Sequence, residues 1–243
     1  MTTSATPTII SKDTISRLLK DVKQIMKNPL TDNGIYYVHD DEDILKGYAM
    51  IVGTQNTPYF GGFYLFKFNF PMDYPYSPPT LTFCTNDGLI RFNPNLYVNG
   101  KVCVSILNTW RGEPWSACQT ITTILLTLCT LLCEMPLINE PGVLKTSPDC
   151  LVYNSIIEYN NIKVAICNMI ERKPEVLMSS FHVFYPYMKE CFLKNYDSIL
   201  EFLKTKRENK PQILKIQLYN LNSTLDYSKL YLQFLNCRNI CDI

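Results

Sequence analysis

Of the ten cysteines in this 243-residue chain, Cys103 is the one set among glycine, asparagine and proline, in the run Asn93-Pro94-Asn95-Leu96-Tyr97-Val98-Asn99-Gly100-Lys101-Val102-Cys103. A loop cysteine is a candidate nucleophile because a thiolate needs partial exposure and relief of its charge, which loop N–H groups or Lys101 can supply. Local sequence alone supports a packing role equally well. A cysteine hydrolase also needs a histidine base, yet the two histidines, His39 and His182, carry no companion motif. Passing on an already activated acyl group has less need of a base, because thiol exchange with a thioester is nearly isoenergetic. Acyl transfer fits the missing histidine.

Elements on both sides must hold this loop. Ile15, Leu18, Leu19, Val22, Ile25 and Met26 recur at helical spacing, with Ser11 or Asp13 as cap and Pro29 as stop. Short β-branched and aromatic runs at 35–38, 44–52, 63–70 and 81–83, separated by turn residues such as Asp40 to Asp43 and Gly61-Gly62, predict an antiparallel meander. Residues 85–114 have no period, and long irregular segments in compact domains are usually functional. Ser116 and Gln119 make a Ser-x-x-Gln capping box ahead of an apolar helix to about Cys133. Ser147-Pro148 opens the next helix, predicted over 151–172. Beyond it the pattern reads as helical throughout, around 188–203, 213–221 and 227–235.

Composition narrows the function. With 23 basic and 22 acidic residues, 47% hydrophobic and 19% charged, the chain has the make-up of a globular protein. Residues 1–150 carry 11 basic and 13 acidic side chains, and the remainder 12 and 9. No stretch has the basic excess of a nucleic-acid binder. The N-terminus has no secretory pattern, and the greasiest run, around 121–132, is too short to cross a bilayer. A cytoplasmic or nuclear protein with reduced thiols is expected, with no nucleic-acid or membrane partner. Cys129/Cys133 and Cys237/Cys241 are spaced by four and there is no Cys-x-x-Cys pair, so no metal site is expected.

The motifs together resemble the ubiquitin-conjugating enzymes. Phe70-Pro71-Met72-Asp73-Tyr74-Pro75-Tyr76-Ser77-Pro78-Pro79 is similar to that family's strand-to-loop signature, and the eight-residue interval from Asn95 to Cys103 matches its His-Pro-Asn to cysteine spacing. The chain resembles more closely the family's enlarged Z-type class. That class shares the Arg91-Phe92-Asn93-Pro94-Asn95 variant, the insertion seen here as Thr109 to Trp115, and the Asn139-Glu140-Pro141-Gly142 loop. Asn93 stands where most of the family has a generally structural histidine.

The resemblance implies an α+β fold: a four-stranded antiparallel meander sheet flanked by helices, as a conjugating core over 11–172, with an all-helical C-terminal extension over 173–243. It also implies the chemistry. Cys103 would take ubiquitin, or a ubiquitin-like protein, as a thioester from an activating enzyme and pass it to a substrate lysine, usually with a ligase. Asn95 would either stabilise the developing oxyanion or hold the loop. Glu140, with Asn139 as the alternative, matches the acidic gate for the incoming lysine, and Tyr97 matches a lysine-channel position. Arg17 and Lys20 match positions that meet the activating enzyme. Pro75, Tyr76 and Ala117 match the ligase-binding loops, with Tyr76 replacing the usual phenylalanine and Ala117 the usual proline. Ile106, Leu126 and Thr130 match the rest site of the bound ubiquitin. No organic cofactor is implied, since ATP is spent by the activating enzyme. The alternative is a noncatalytic ubiquitin-binding variant or an interaction scaffold, against which the presence of Cys103 weighs.

Overall fold

The computed structural model describes residues 10–172 and 178–241. Most of the N-terminal leader and the start of the expected extension, at 173–177, lie outside the described residues. Helix α1 (Lys12–Lys27) is capped by Ser11, whose side chain accepts the Thr14 N–H. Its buried face is Thr14, Leu18, Asp21 and Ile25, while Leu19 and Met26 are exposed. The apolar stripe read from spacing is therefore rotated. Two polar residues sit inward because each has a partner there: Thr14 Oγ1 donates to the Met72 carbonyl, and Asp21 accepts from Tyr74 Oη and Arg17 Nε.

Strands β1 (Ile35–His39), β2 (Lys46–Val52), β3 (Phe63–Asn69) and β4 (Thr80–Phe83) form one antiparallel sheet in the order 1-2-3-4, the expected meander. Asp40 closes the first hairpin by accepting from the N–H groups of Glu42 and Asp43, as turn chemistry requires. His39 accepts from the Tyr37 hydroxyl at Nδ1 and donates from Nε2 to the Ile44 carbonyl, each at 2.8 Å. Burial pulls its pKa below the ordinary value. It serves the hairpin.

After the irregular segment comes α2 (Ile121–Leu131). Its cap is Thr120, in a capping box with Thr123, and not Ser116. Ser116 and Gln119 instead close a turn of their own: Gln119 N donates to the Ser116 carbonyl and Ser116 N to Gln119 Oε1. Arg17 pins that turn from α1, and the helix starts beyond it at Ile121, with Thr120 between as the cap.

Helix α3 (Pro148–Asn160) runs into a π-helical stretch, Asn161–Asn168, where the sequence predicts one uniform helix. Wide turns of this kind re-aim side chains, and two buried asparagines lie at the junction. Asn160 Nδ2 donates to Ser223 Oγ. Asn161 accepts from the Tyr64 hydroxyl and donates to the Phe60 carbonyl.

The C-terminal part is not all helical. Between α4 (Tyr185–Lys206) and α5 (Tyr227–Cys241) lies a hairpin of β5 (Gln212–Ile216) and β6 (Leu221–Leu225), where helical spacing over 213–221 predicts a helix. Leu221, Ser223 and Leu225 are buried alternately, a period of two that spacing around Ile213 obscures. Asn220 supplies a left-handed turn residue at φ 50°.

The extension shares the core's interior. Tyr36 and Tyr48 on one face of the sheet meet Tyr187 and Phe181, with ring centroids 4.9 and 5.5 Å apart, and a single hydrophobic cluster runs from α1 through the sheet to α5. Each such aromatic pair adds about 0.5–1.5 kcal/mol beyond its area.

Gly62 admits this junction. A Cβ there would collide with Asn161 Oδ1, which is already bonded to Tyr64. We expect Gly62→Ala to displace Asn161 and cost about 2–3 kcal/mol, the penalty for breaking buried hydrogen bonds. Thermal melts should show little further loss when the substitution is made in an Asn161→Ala background, since the clash is then gone.

Candidate functional site

The irregular segment is held by short polar links. Asn93 is fully buried, donates from Nδ2 to the Leu131 carbonyl at 2.8 Å and to the Tyr59 hydroxyl at 3.1 Å, and accepts the Asn95 N–H at 2.9 Å. An asparagine thus ties the loop to the end of α2. Pairing then brings the two halves of the segment together: Cys103 N donates to the Asn95 carbonyl at 2.9 Å, and Asn95 Nδ2 donates to the Cys103 carbonyl at 2.6 Å. Asn95 Oδ1 is buried without a partner.

Cys103 itself is only 2% exposed, deeper than its loop sequence predicts. The next residues of the chain fold back onto its neighbours. Thr109 folds back, accepting the Val104 N–H and sitting 3.0 and 3.1 Å from the Val102 and Val104 carbonyls. Asn108 Oδ1 accepts the Trp115 N–H and closes the base of the insertion. Exposure therefore does not single out Cys103, and Cys118 is the exposed thiol.

Tyr97 and Glu140 are brought together, through two residues that sequence reasoning missed. The Arg91 guanidinium lies between the rings of Tyr97 and Tyr219, at 3.8 and 3.9 Å, and its Nη2 donates to the Pro94 carbonyl. The Tyr219 hydroxyl donates to Glu140 Oε2. Arg91 had a local signal, as a cation two residues before Asn93. Tyr219 had none, being 79 residues from its partner. Asn139 also sits in this loop, with Nδ2 buried and unpartnered.

The surface residues divide. Lys20 is exposed on α1. Arg17 is not a free surface cation: besides Asp21 at 2.9 Å, it donates to the carbonyls of Ala117 at 2.6 Å and Gln119 at 2.5 Å. Tyr76 is 75% exposed, with Pro75 and Ala117 half-buried beside it. Trp115 Nε1 donates to the Pro75 carbonyl at 2.6 Å, which joins the loop holding Pro75 to the insertion that ends beside Ala117. Leu126 and Thr130, one helical turn apart, are exposed together on α2, whereas Ile106 is buried and belongs to the core.

Arg17 and Lys20 should therefore part in experiment. Arg17→Ala leaves Asp21 short of a partner and two carbonyls unpaired, a loss of about 2–3 kcal/mol in thermal melts. Lys20→Ala should leave the melting temperature within roughly 1 °C, as exposed surface changes do.

Among the described residues no group of three or more His, Cys, Asp or Glu could hold a metal ion, and no helix is long and apolar enough to cross a membrane.

Comparison with known proteins agrees with this geometry. The family model described as ubiquitin-conjugating enzyme matches residues 17–146, which contain most of α1, the sheet, Cys103 and Glu140. The chain is 41% identical over 193 residues to ubiquitin-conjugating enzyme E2 Z of Danio rerio, covering 77% of this chain and 56% of that protein. It is 37% identical over 223 residues to the Homo sapiens protein of that name, covering 89% and 60%. The chain thus spans under two thirds of the length of these relatives. The family match, its span over the whole loop and the level of identity lead to one conclusion: the chain belongs to the ubiquitin-conjugating enzyme family, and within it resembles the Z-type members.

Proposed function

We propose that Cys103 accepts the C-terminal glycine of ubiquitin, or of a ubiquitin-like protein, from an activating enzyme and passes it to a substrate lysine, usually with a ligase. The observation that carries this reading is the reciprocal pairing of Asn95 with the backbone of Cys103, which holds an asparagine amide against the cysteine residue inside the family-matched segment. In loading, the Cys103 sulfur attacks the activating enzyme's thioester carbonyl, the new C–S bond forms, and the old thiolate leaves. In transfer, a lysine amine attacks that carbonyl, Asn95 meets the oxyanion, and Cys103 leaves as thiolate. The lysine, with an ordinary pKa of about 10.4, must give up a proton, for which Glu140 is the acceptor and Tyr97 the channel wall.

Partner surfaces belong to the same proposal: Arg17 and Lys20 toward the activating enzyme, Pro75, Tyr76 and Ala117 toward ligases, and Ile106, Leu126 and Thr130 toward the carried modifier. Arg17 would act there largely by shaping the Ala117 loop, and Ile106, which is buried, only through the core. We assign the conjugating core to 11–172 and the extension to 173–243, and place the protein in the cytoplasm or nucleus, where cysteine thiols stay reduced.

The 2% exposure of Cys103 favours a second reading, an interaction scaffold with a buried, idle thiol. One assay separates the two. Incubated with activating enzymes, ATP and tagged modifiers, the protein should give a thiol-sensitive adduct on a nonreducing gel. No adduct with any modifier would sink the enzymatic reading.

A further inference from the structure

Tyr219 belongs to the extension, yet its side chain ends at the acidic loop of the core. Its hydroxyl donates to Glu140 Oε2, and its ring stacks on Arg91, whose other face covers Tyr97 and whose Nη2 holds the Pro94 carbonyl. Tyr219 occupies left-handed backbone at φ 63°, ψ 7°. That conformation is costly for a residue with a bulky side chain and persists when surrounding contacts over-determine it. Here those contacts are the stack and the hydroxyl bond. Burial, then the bond to Glu140, pushes the phenol's pKa far above its ordinary value, so it stays protonated as a donor.

The position of the turn is itself fixed. Asn160 reaches Ser223 on β6, the Tyr159 hydroxyl reaches the Asp226 carbonyl, and Leu221 and Leu225 are buried in the common core. The hairpin is thus anchored on α3 behind the site and delivers Tyr219 to its edge. A cavity of about 350 Å³, lined by Leu89, Arg91, Tyr97, Tyr219 and Asn220, leaves the cluster open on one side.

We propose that Tyr219 is a positioning residue for lysine attack: by holding one oxygen of Glu140 it aims the other at the incoming amine, so that the extension completes the acceptor side of the site. This rests on the proposed role of Glu140 in transfer. Tyr219 touches neither the modifier nor the lysine and acts through Glu140. The Arg91 stack sets the ring, and the hydroxyl sets the carboxylate.

Tyr219→Phe keeps the ring and removes only the hydroxyl. The whole 243-residue chain bearing this substitution should load Cys103 with ubiquitin or a ubiquitin-like protein at the normal rate, then discharge to free lysine roughly ten-fold more slowly, the scale of one hydrogen bond to a charged group. Discharge to hydroxylamine, an amine already unprotonated at neutral pH, should be unchanged, and the substitution should add nothing in a Glu140→Gln background. Hydrogen exchange over residues 136–143 should quicken in Tyr219→Phe with or without a charged Cys103. Unslowed lysine discharge, or equal slowing toward both amines, would overturn the positioning role. Unchanged exchange would overturn the latch by itself. A wild-type protein that never loads would instead sink the proposed function, while exchange still reports whether Tyr219 holds the loop.

Discussion

Cys103→Ser should replace the thiol-labile adduct with a thiol-resistant ester and abolish transfer to lysine. Serine is nearly isosteric with cysteine, so a site that is 2% exposed should accept it, with the Asn95 pairing intact because both of its bonds use the backbone of residue 103. What changes is the chemistry. A hydroxyl is a poorer nucleophile than a thiolate, so loading slows, and the oxygen ester that forms has lost the activation that lets a thioester be passed on. The measurement is a modifier-charging reaction run on gels with and without reductant, followed by a lysine chase. Cys118→Ser is the necessary control, since Cys118 is the exposed thiol and the first to react adventitiously. A thiol-labile adduct that survives Cys103→Ser and disappears in Cys118→Ser would move the chemistry away from the loop.

Asn95→Ala should slow discharge to lysine by about 10²-fold while slowing loading far less, the size seen when one oxyanion donor is removed. The side-chain amide has two hydrogens, and one is directed at the Cys103 carbonyl. The second is the candidate donor to the thioester oxygen. The same side chain is also loop support, and the substitution should cost about 1–2 kcal/mol of stability through that bond. Single-turnover rates separate the roles. If Asn95 only braces the loop, Cys103 is displaced in both half-reactions and the two slow alike. If it meets the oxyanion of lysine attack, discharge falls selectively and the melting temperature does not predict the rate.

Legibility differed between parts of the molecule for definite reasons. The Asn95 to Cys103 pairing could be read because the two residues are only eight apart, whereas the bonds that tie Asn93 to Leu131 and Tyr59 span 38 and 34 residues and leave no local mark. The meander could be read because each strand pairs with its neighbour in sequence. Leu126 and Thr130 share a face because a helix repeats every 3.6 residues. Arg17 was harder, since the carbonyls that engage it are 100 and 102 residues away and nothing near it marks them. Ser116 carried a capping signature that the structure spends on a turn, because Thr120 offers the same chemistry one turn later and Arg17 holds the turn closed.

The extension is the sharpest case. The weak helical pattern around 213–221 competes with alternate burial at Leu221, Ser223 and Leu225, and the pairing with β5 decides for the strand. Only that hairpin brings Tyr219 beside Glu140.

By itself the sequence determined the candidate nucleophile, its loop and the family, because these rest on residue types at short, fixed separations. The tertiary structure decided how deeply Cys103 sits, that Arg17 braces a loop, and that the extension shares the core and reaches the Glu140 loop. Those outcomes depend on contacts between residues far apart in the chain, whose geometry no local spacing encodes and which form only when the sheet, α3 and the hairpin pack together.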